Sequence, residues 1–143
     1  QHITWAHRDI EDTKGMVRFA KMHVEHSSSE RNYKDLIWAF SSDGQFDKAM
    51  ETYDHAISLF PRSSNTTTWG ISKWKGKIFE MTGKYNEAET YFSSLIDPIN
   101  SKKNTAVGYK GLFWHYMLMG QFEKTNKLVV EMIPYQQFIR FLP

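Results

Sequence analysis

No cysteine occurs in the 143 residues. That removes disulfides, thiolate zinc sites, iron–sulfur clusters and cysteine nucleophiles together, and it points to a reducing, cytoplasmic setting as the expectation. No run approaches the ~18 apolar residues that a membrane-spanning helix needs. Neither sign of charge dominates: 18 Lys and Arg against 16 Asp and Glu leave +2. Such a balance argues against attachment to nucleic acid or to a membrane by bulk charge. Glycines number 8 and prolines 4, and the glycines stand singly. No loop therefore has the glycine density that cradles a phosphate, and no serine sits in a nucleophile-elbow pattern. The chain opens at Gln1 rather than Met, which reads as a processed chain or a fragment of a larger one.

What abounds is aromatic residues: 5 Trp, 7 Tyr and 10 Phe. With 41% hydrophobic residues, the length suffices for a packed core without disulfides or metals. The apolar positions follow helical periodicity. After Gly44 come Phe46, Ala49, Met50, Tyr53, Ala56, Ile57 and Phe60, and before it Tyr33, Leu36, Ile37 and Phe40. Steps of three and one place each set on one helix face, and Pro61 stops the second helix. The pattern recurs around Gly83, with Ile71, Trp74, Ile78 and Phe79, then Tyr85, Ala88, Phe92, Leu95 and Ile96. It recurs again around Gly120, with Tyr109, Leu112, Phe113 and Tyr116, then Phe122, Leu128, Val129, Met132 and Ile133. Two-residue alternation is missing, so the spacing predicts an all-α chain of antiparallel hairpins. The glycines are expected to supply the positive φ that ends each first helix. Ala49, Ala56 and Ala88 are expected where helices approach closely.

The run Tyr33, Leu36, Phe40, Gly44, Phe46, Ala49, Tyr53, Ala56, Pro61 resembles a tetratricopeptide repeat, a helix–turn–helix unit of about 34 residues. It departs at Ile37, where that family carries a small residue. A second unit keeps Gly76, Phe79, Gly83, Tyr85, Ala88 and Phe92, but has Lys75 before Gly76 and Leu95 at the later alanine. A third keeps Tyr109, Leu112, Tyr116, Gly120 and Phe122, with Thr125 in place of the alanine. The resemblance implies a right-handed α-solenoid of stacked antiparallel hairpins. One repeat domain over 1–143 is expected, with repeats over 30–61, 69–98 and 106–134 and a degenerate half-repeat over 3–27.

Arg62–Thr68 and Asp97–Thr105 read as inter-hairpin loops. Asn65-Thr66-Thr67 is formally a glycosylation acceptor. Gly15, Val17, Ala20 and Val24 share the offsets of Gly44, Phe46, Ala49 and Tyr53, which casts 16–26 as the second helix of the half-repeat. Ser27-Ser28-Ser29 before Glu30 reads as a capped helix entry. The apolar tail Phe138-Ile139-Arg140-Phe141-Leu142 is expected to fold back or to seal against another chain, self-association included.

Catalytic chemistry is thinly represented. His23 and His26 have ligand-capable spacing, but Val24-Glu25 between them does not make the zinc-protease pattern, and only generic Glu25 or Glu30 stands near. His115, between Trp114 and Tyr116, reads as a partly buried helix residue rather than a base. Asp47, Lys48 and Glu51 make a solvated face. No cofactor, no metal and no enzymatic activity are expected.

Ten residues before each turn glycine stands a lysine: Lys34, Lys73 and Lys110. Six residues before stand Trp38, Lys77 and Trp114. Each pair is four apart, hence on one helix face, and that face differs from the packing stripe. In the resembled family the first helices line a concave surface that takes peptides, so these six residues are the expected peptide-binding set. Lysines attract carboxylates and tryptophans supply flat apolar area. Family members that clamp a C-terminal carboxylate use asparagine where this chain has Trp38, Lys77 and Trp114, so that role is not carried over. The expected function is a non-catalytic module for a peptide or protein partner. Single-stranded RNA binding is the alternative, since lysine with interleaved tryptophan suits stacked bases; the near-neutral charge and Glu80 near the same face count against it. A regulatory or sensor fragment of a larger protein is the third reading.

Overall fold

The computed structural model describes residues 12–61, 70–97, 99–100 and 102–136. They form seven α-helices: α1 (Thr13–His26), α2 (Glu30–Ser42), α3 (Phe46–Leu59), α4 (Lys73–Met81), α5 (Tyr85–Ser94), α6 (Lys102–Leu118) and α7 (Phe122–Met132). A 3-10 turn follows at Ile133–Tyr135, and no strand occurs among the described residues. The secondary structure of the described residues is helical throughout, as the periodicity predicts. The proposed glycosylation triplet and the apolar tail lie outside the described residues, as do His2, His7 and the first part of the half-repeat.

The backbone divides into two compact units, Gln1–Ser63 and Ser64–Pro143. In the first unit α1 packs on α2 and α2 on α3. Its core is built from Met16, Ala20, Leu36, Ile37, Ala49, Tyr53 and Ala56, with all three alanines fully buried. Ile37, the departure from the resembled family, is fully buried too. In the second unit α4 packs on α5, α5 on α6 and α6 on α7, and α4 also meets α6. Phe92, Tyr109, Leu112, Tyr116, Leu128 and Met132 form one buried cluster there.

Three hairpin turns share one geometry. Gly44, Gly83 and Gly120 adopt φ of 73°, 75° and 68°. The next residue, Gln45, Lys84 or Gln121, donates its N–H to the carbonyl five residues back, on Phe40, Phe79 or Tyr116, at 2.8–2.9 Å. Each glycine donates to the carbonyl three residues back, on Ser41, Glu80 or Met117. This paired closure satisfies the last carbonyls of the first helix, and the left-handed residue it needs is glycine in all three turns. Thr125, which replaces the small alanine, is buried, and its hydroxyl donates to the Gln121 carbonyl at 3.2 Å. The polar group is thereby satisfied within its own helix.

The entry to α2 follows the expected capping: Ser29 accepts the Asn32 N–H at 3.2 Å, with Glu30 in the first turn. Two boundaries differ from expectation. Gly15 is a buried residue inside α1, three positions after the capping Asp12, and not a turn residue like Gly44. The helix starts ahead of it because Asp12 takes the Gly15 N–H at 2.7 Å and fixes the first turn there. Likewise α6 begins at Lys102 and absorbs much of the loop expected over 97–105. Nothing in Lys102–Val107 breaks a helix, and burial of Thr105, Ala106 and Val107 holds that turn down.

Candidate functional site

On α2, Lys34 and Trp38 are half-buried, one helical turn apart. Between them Asp35 has its carboxyl pushed above the usual range by burial, with Lys34, Arg31 and His23 pulling it back. These two residues belong to the first unit; the other four belong to the second, where α4 and α6 are neighbours.

Lys73 opens α4, half-buried, with its ammonium 5.3 Å from the centre of the Trp74 ring. One turn on, Lys77 places Nζ 3.0 Å from Glu80 Oε2. The other oxygen of Glu80, Oε1, lies 3.0 Å from His115 Nδ1 on α6. Glu80 and His115 are both buried. A buried carboxylate held at both oxygens is satisfied where an unpaired one would be costly. The contact ties α4 to α6, one residue along from Trp114. Trp114 is 43% exposed, and its indole stands edge-on to Phe113 at 5.2 Å. A ring left this exposed is apolar area within reach of a ligand.

Lys110 differs from its counterparts. Its residue is 9% exposed, and burial lowers its pKa from the ordinary lysine value. Repeat spacing puts it at the same offset as Lys34 and Lys73, but its burial removes it from the accessible surface. Of the four residues in the second unit, Lys73, Lys77 and Trp114 therefore offer accessible surface, and Lys110 does not.

Two residues with a structural hold on the site, Glu80 and His115, fall outside the predicted set. His115, expected to be partly buried, is fully buried. A second polar link lies on the same helix: Tyr116 Oη donates to Glu89 Oε1 at 3.0 Å, and Lys124 Nζ reaches the same oxygen at 3.2 Å. Burial, then the Glu89 hydrogen bond and charge, push the Tyr116 phenol up to about 12. At Glu89 burial raises the pKa, but the hydrogen bonds from Tyr116 and Lys124 outweigh it and leave the carboxyl below its ordinary value. The network joins α5, α6 and α7.

A groove of about 430 Å³ between α4 and α5 is lined by Lys75, Phe79, Asn86, Glu87, Thr90 and Tyr91, none of them in the predicted set. Among the described residues no group of three or more His, Cys, Asp or Glu is placed to hold a metal ion. His26 is exposed and His23 half-buried. No helix among the described residues is long and apolar enough to cross a membrane. Comparison with protein-family models and with curated proteins finds no match to this chain.

Proposed function

We propose that the chain is a tetratricopeptide-like helical-repeat module that binds an acidic, partly apolar peptide or protein segment and performs no catalysis. The repeat reading is supported by three turns of one geometry at equal places in the small-and-bulky pattern. The site reading rests chiefly on Trp114, an exposed indole on a helix held to α4 by a buried carboxylate–imidazole contact. In the second unit the ligand lies along α4 and α6, with Lys73 and Lys77 attracting its acidic groups and Trp114 taking its apolar side chain. Lys34 and Trp38 offer the corresponding pair on α2. Lys110 contributes to the fold of α6 and not to ligand charge.

The test is a titration of tryptophan fluorescence with acidic peptides that carry one aromatic or aliphatic anchor. A binding peptide changes the emission, and its affinity falls as salt rises, because the lysine attractions are partly exposed. Trp114→Ala weakens binding by about 1–3 kcal/mol, the range of an anchoring aromatic. Charge reversal at Lys73 mainly slows association. Binding that is indifferent to both changes removes this site, and a response to single-stranded oligonucleotide alone replaces the peptide with RNA.

A further inference from the structure

In the peptide site on α4 and α6, Lys77 is already engaged. Its side chain is 32% exposed, yet its ammonium sits 3.0 Å from Oε2 of Glu80, whose side chain is only 5% exposed. A cation in contact with so buried an oxygen is turned inward. Its flexible four-carbon stem lets the ammonium swing outward, so an acidic ligand that takes Lys77 takes it from Glu80. Glu80 then depends on His115 alone, through the 3.0 Å contact between Oε1 and Nδ1 of an imidazole that is 2% exposed. Lys77 supplies positive charge, whereas a neutral imidazole supplies only a hydrogen bond. A buried carboxylate that loses its counter-charge is strongly disfavoured. A proton on His115 restores the balance and makes the remaining contact a charge-assisted one.

The other charged groups around the imidazole do not supply that balance. On α5, the Glu89 carboxyl feels the charge of His115 and is held by Tyr116 Oη of α6 and Lys124 Nζ of α7, at 3.0 and 3.2 Å. Lys124 is thus matched to Glu89, and Glu89, an anion, also favours a proton on His115. The Tyr116 ring, 6.0 Å from the imidazole, has its phenol pushed up to about 12 and stays uncharged in the neutral range.

We infer that this site binds an acidic ligand together with a proton: the ligand's carboxylate draws Lys77 off Glu80, and His115 takes up a proton from solvent as the new counter-charge. This rests on the peptide-binding reading above and adds its regulation. The complex holds more protons than the free chain. Affinity therefore rises as pH falls through the range where histidine titrates, by up to ~tenfold per pH unit for one full proton. Above that range neither form carries the proton, and affinity is flat and weakest. Reciprocally, bound ligand makes His115 hold its proton more tightly.

Two measurements test this. Lys77→Gln imitates the ligand's effect with no ligand present, since it removes the lysine charge and keeps a donor for Glu80. In proton NMR the His115 Cε1 proton, assigned by its absence from His115→Gln, should titrate at least ~0.5 pH unit higher in Lys77→Gln than in the wild type. The ligand arm uses end-capped hexapeptides that alternate Asp or Glu with Leu or Phe, whose carboxylates stay ionised between about pH 6 and 8. Calorimetry in buffers of different ionisation enthalpy should show net proton uptake when they bind the wild type. His115→Gln should bind with no uptake and with an affinity that no longer varies over that pH range. Peptide binding to the wild type without proton uptake overturns the inference, as does an unmoved His115 titration in Lys77→Gln. If none of the peptides binds while the Lys77→Gln shift is present, the peptide site falls and the linked binding with it, whereas the charge coupling of Lys77, Glu80 and His115 stands.

Discussion

Phe92 is fully buried, and a Cβ added at Gly76 of α4 or at Gly111 of α6 would fall on its ring. At Gly108 an added Cβ would come within 2.7 Å of both Ile96 Cγ1 and the Phe92 carbonyl oxygen. These helix glycines are therefore spaces for a neighbour, distinct from the turn glycines Gly44, Gly83 and Gly120, where an added Cβ would meet nothing within 4 Å. Gly111→Ala should gain up to ~1 kcal/mol of helix propensity and lose about 1–3 kcal/mol to overpacking. Because the obstacle is a ring gripped on two sides, a net loss is expected, read as a lower urea midpoint. Pairing it with Phe92→Leu should return part of that loss, because the leucine gives the added methyl room. A Gly111→Ala midpoint at or above wild type would show that the ring can yield. No local pattern in the sequence announces Gly108 and Gly111, since the atoms that require them belong to another helix. Lys110 is hidden for the same reason: repeat offset fixes its place on α6, but its burial depends on what packs there.

The elements themselves were legible. A turn between two packed helices must end the first with a left-handed residue, and the sequence carries glycine at that place three times. Boundaries were less so. The start of α1 depends on the Asp12 cap, and the start of α6 on the burial of Thr105 to Val107. Gly83→Ala separates backbone strain from packing, since its φ is 75° and nothing crowds the position. The left-handed conformation costs an alanine about 1–2 kcal/mol, so the urea midpoint should drop accordingly, and Gly83→Asn should drop it less because asparagine tolerates that region. Equal midpoints for wild type, alanine and asparagine would mean that the turn between α4 and α5 can close without positive φ.

At the scale of the whole chain, the hydrophobic pattern conveys helices and hairpins but not the division at residues 63 and 64. Periodicity reports which face of a helix is apolar; it does not report how many cores those faces build. Separate compact units are expected to open separately. Phe92→Ala should cost about 3–5 kcal/mol in the second unit, and amide hydrogen exchange should then quicken through α4 to α7 while α1 to α3 keep wild-type rates. Acceleration across all seven helices would instead mark one cooperative block.

The ring of Phe92 also keeps time for the helices that hold it. A phenyl ring lodged against the backbones of Gly76 and Gly111 can turn over only when α4 and α6 part for a moment. Its flip rate, read from whether its two edges give one nuclear resonance or two, is a clock for that breathing. A ligand that lies across α4 and α6 and holds them together would slow that clock.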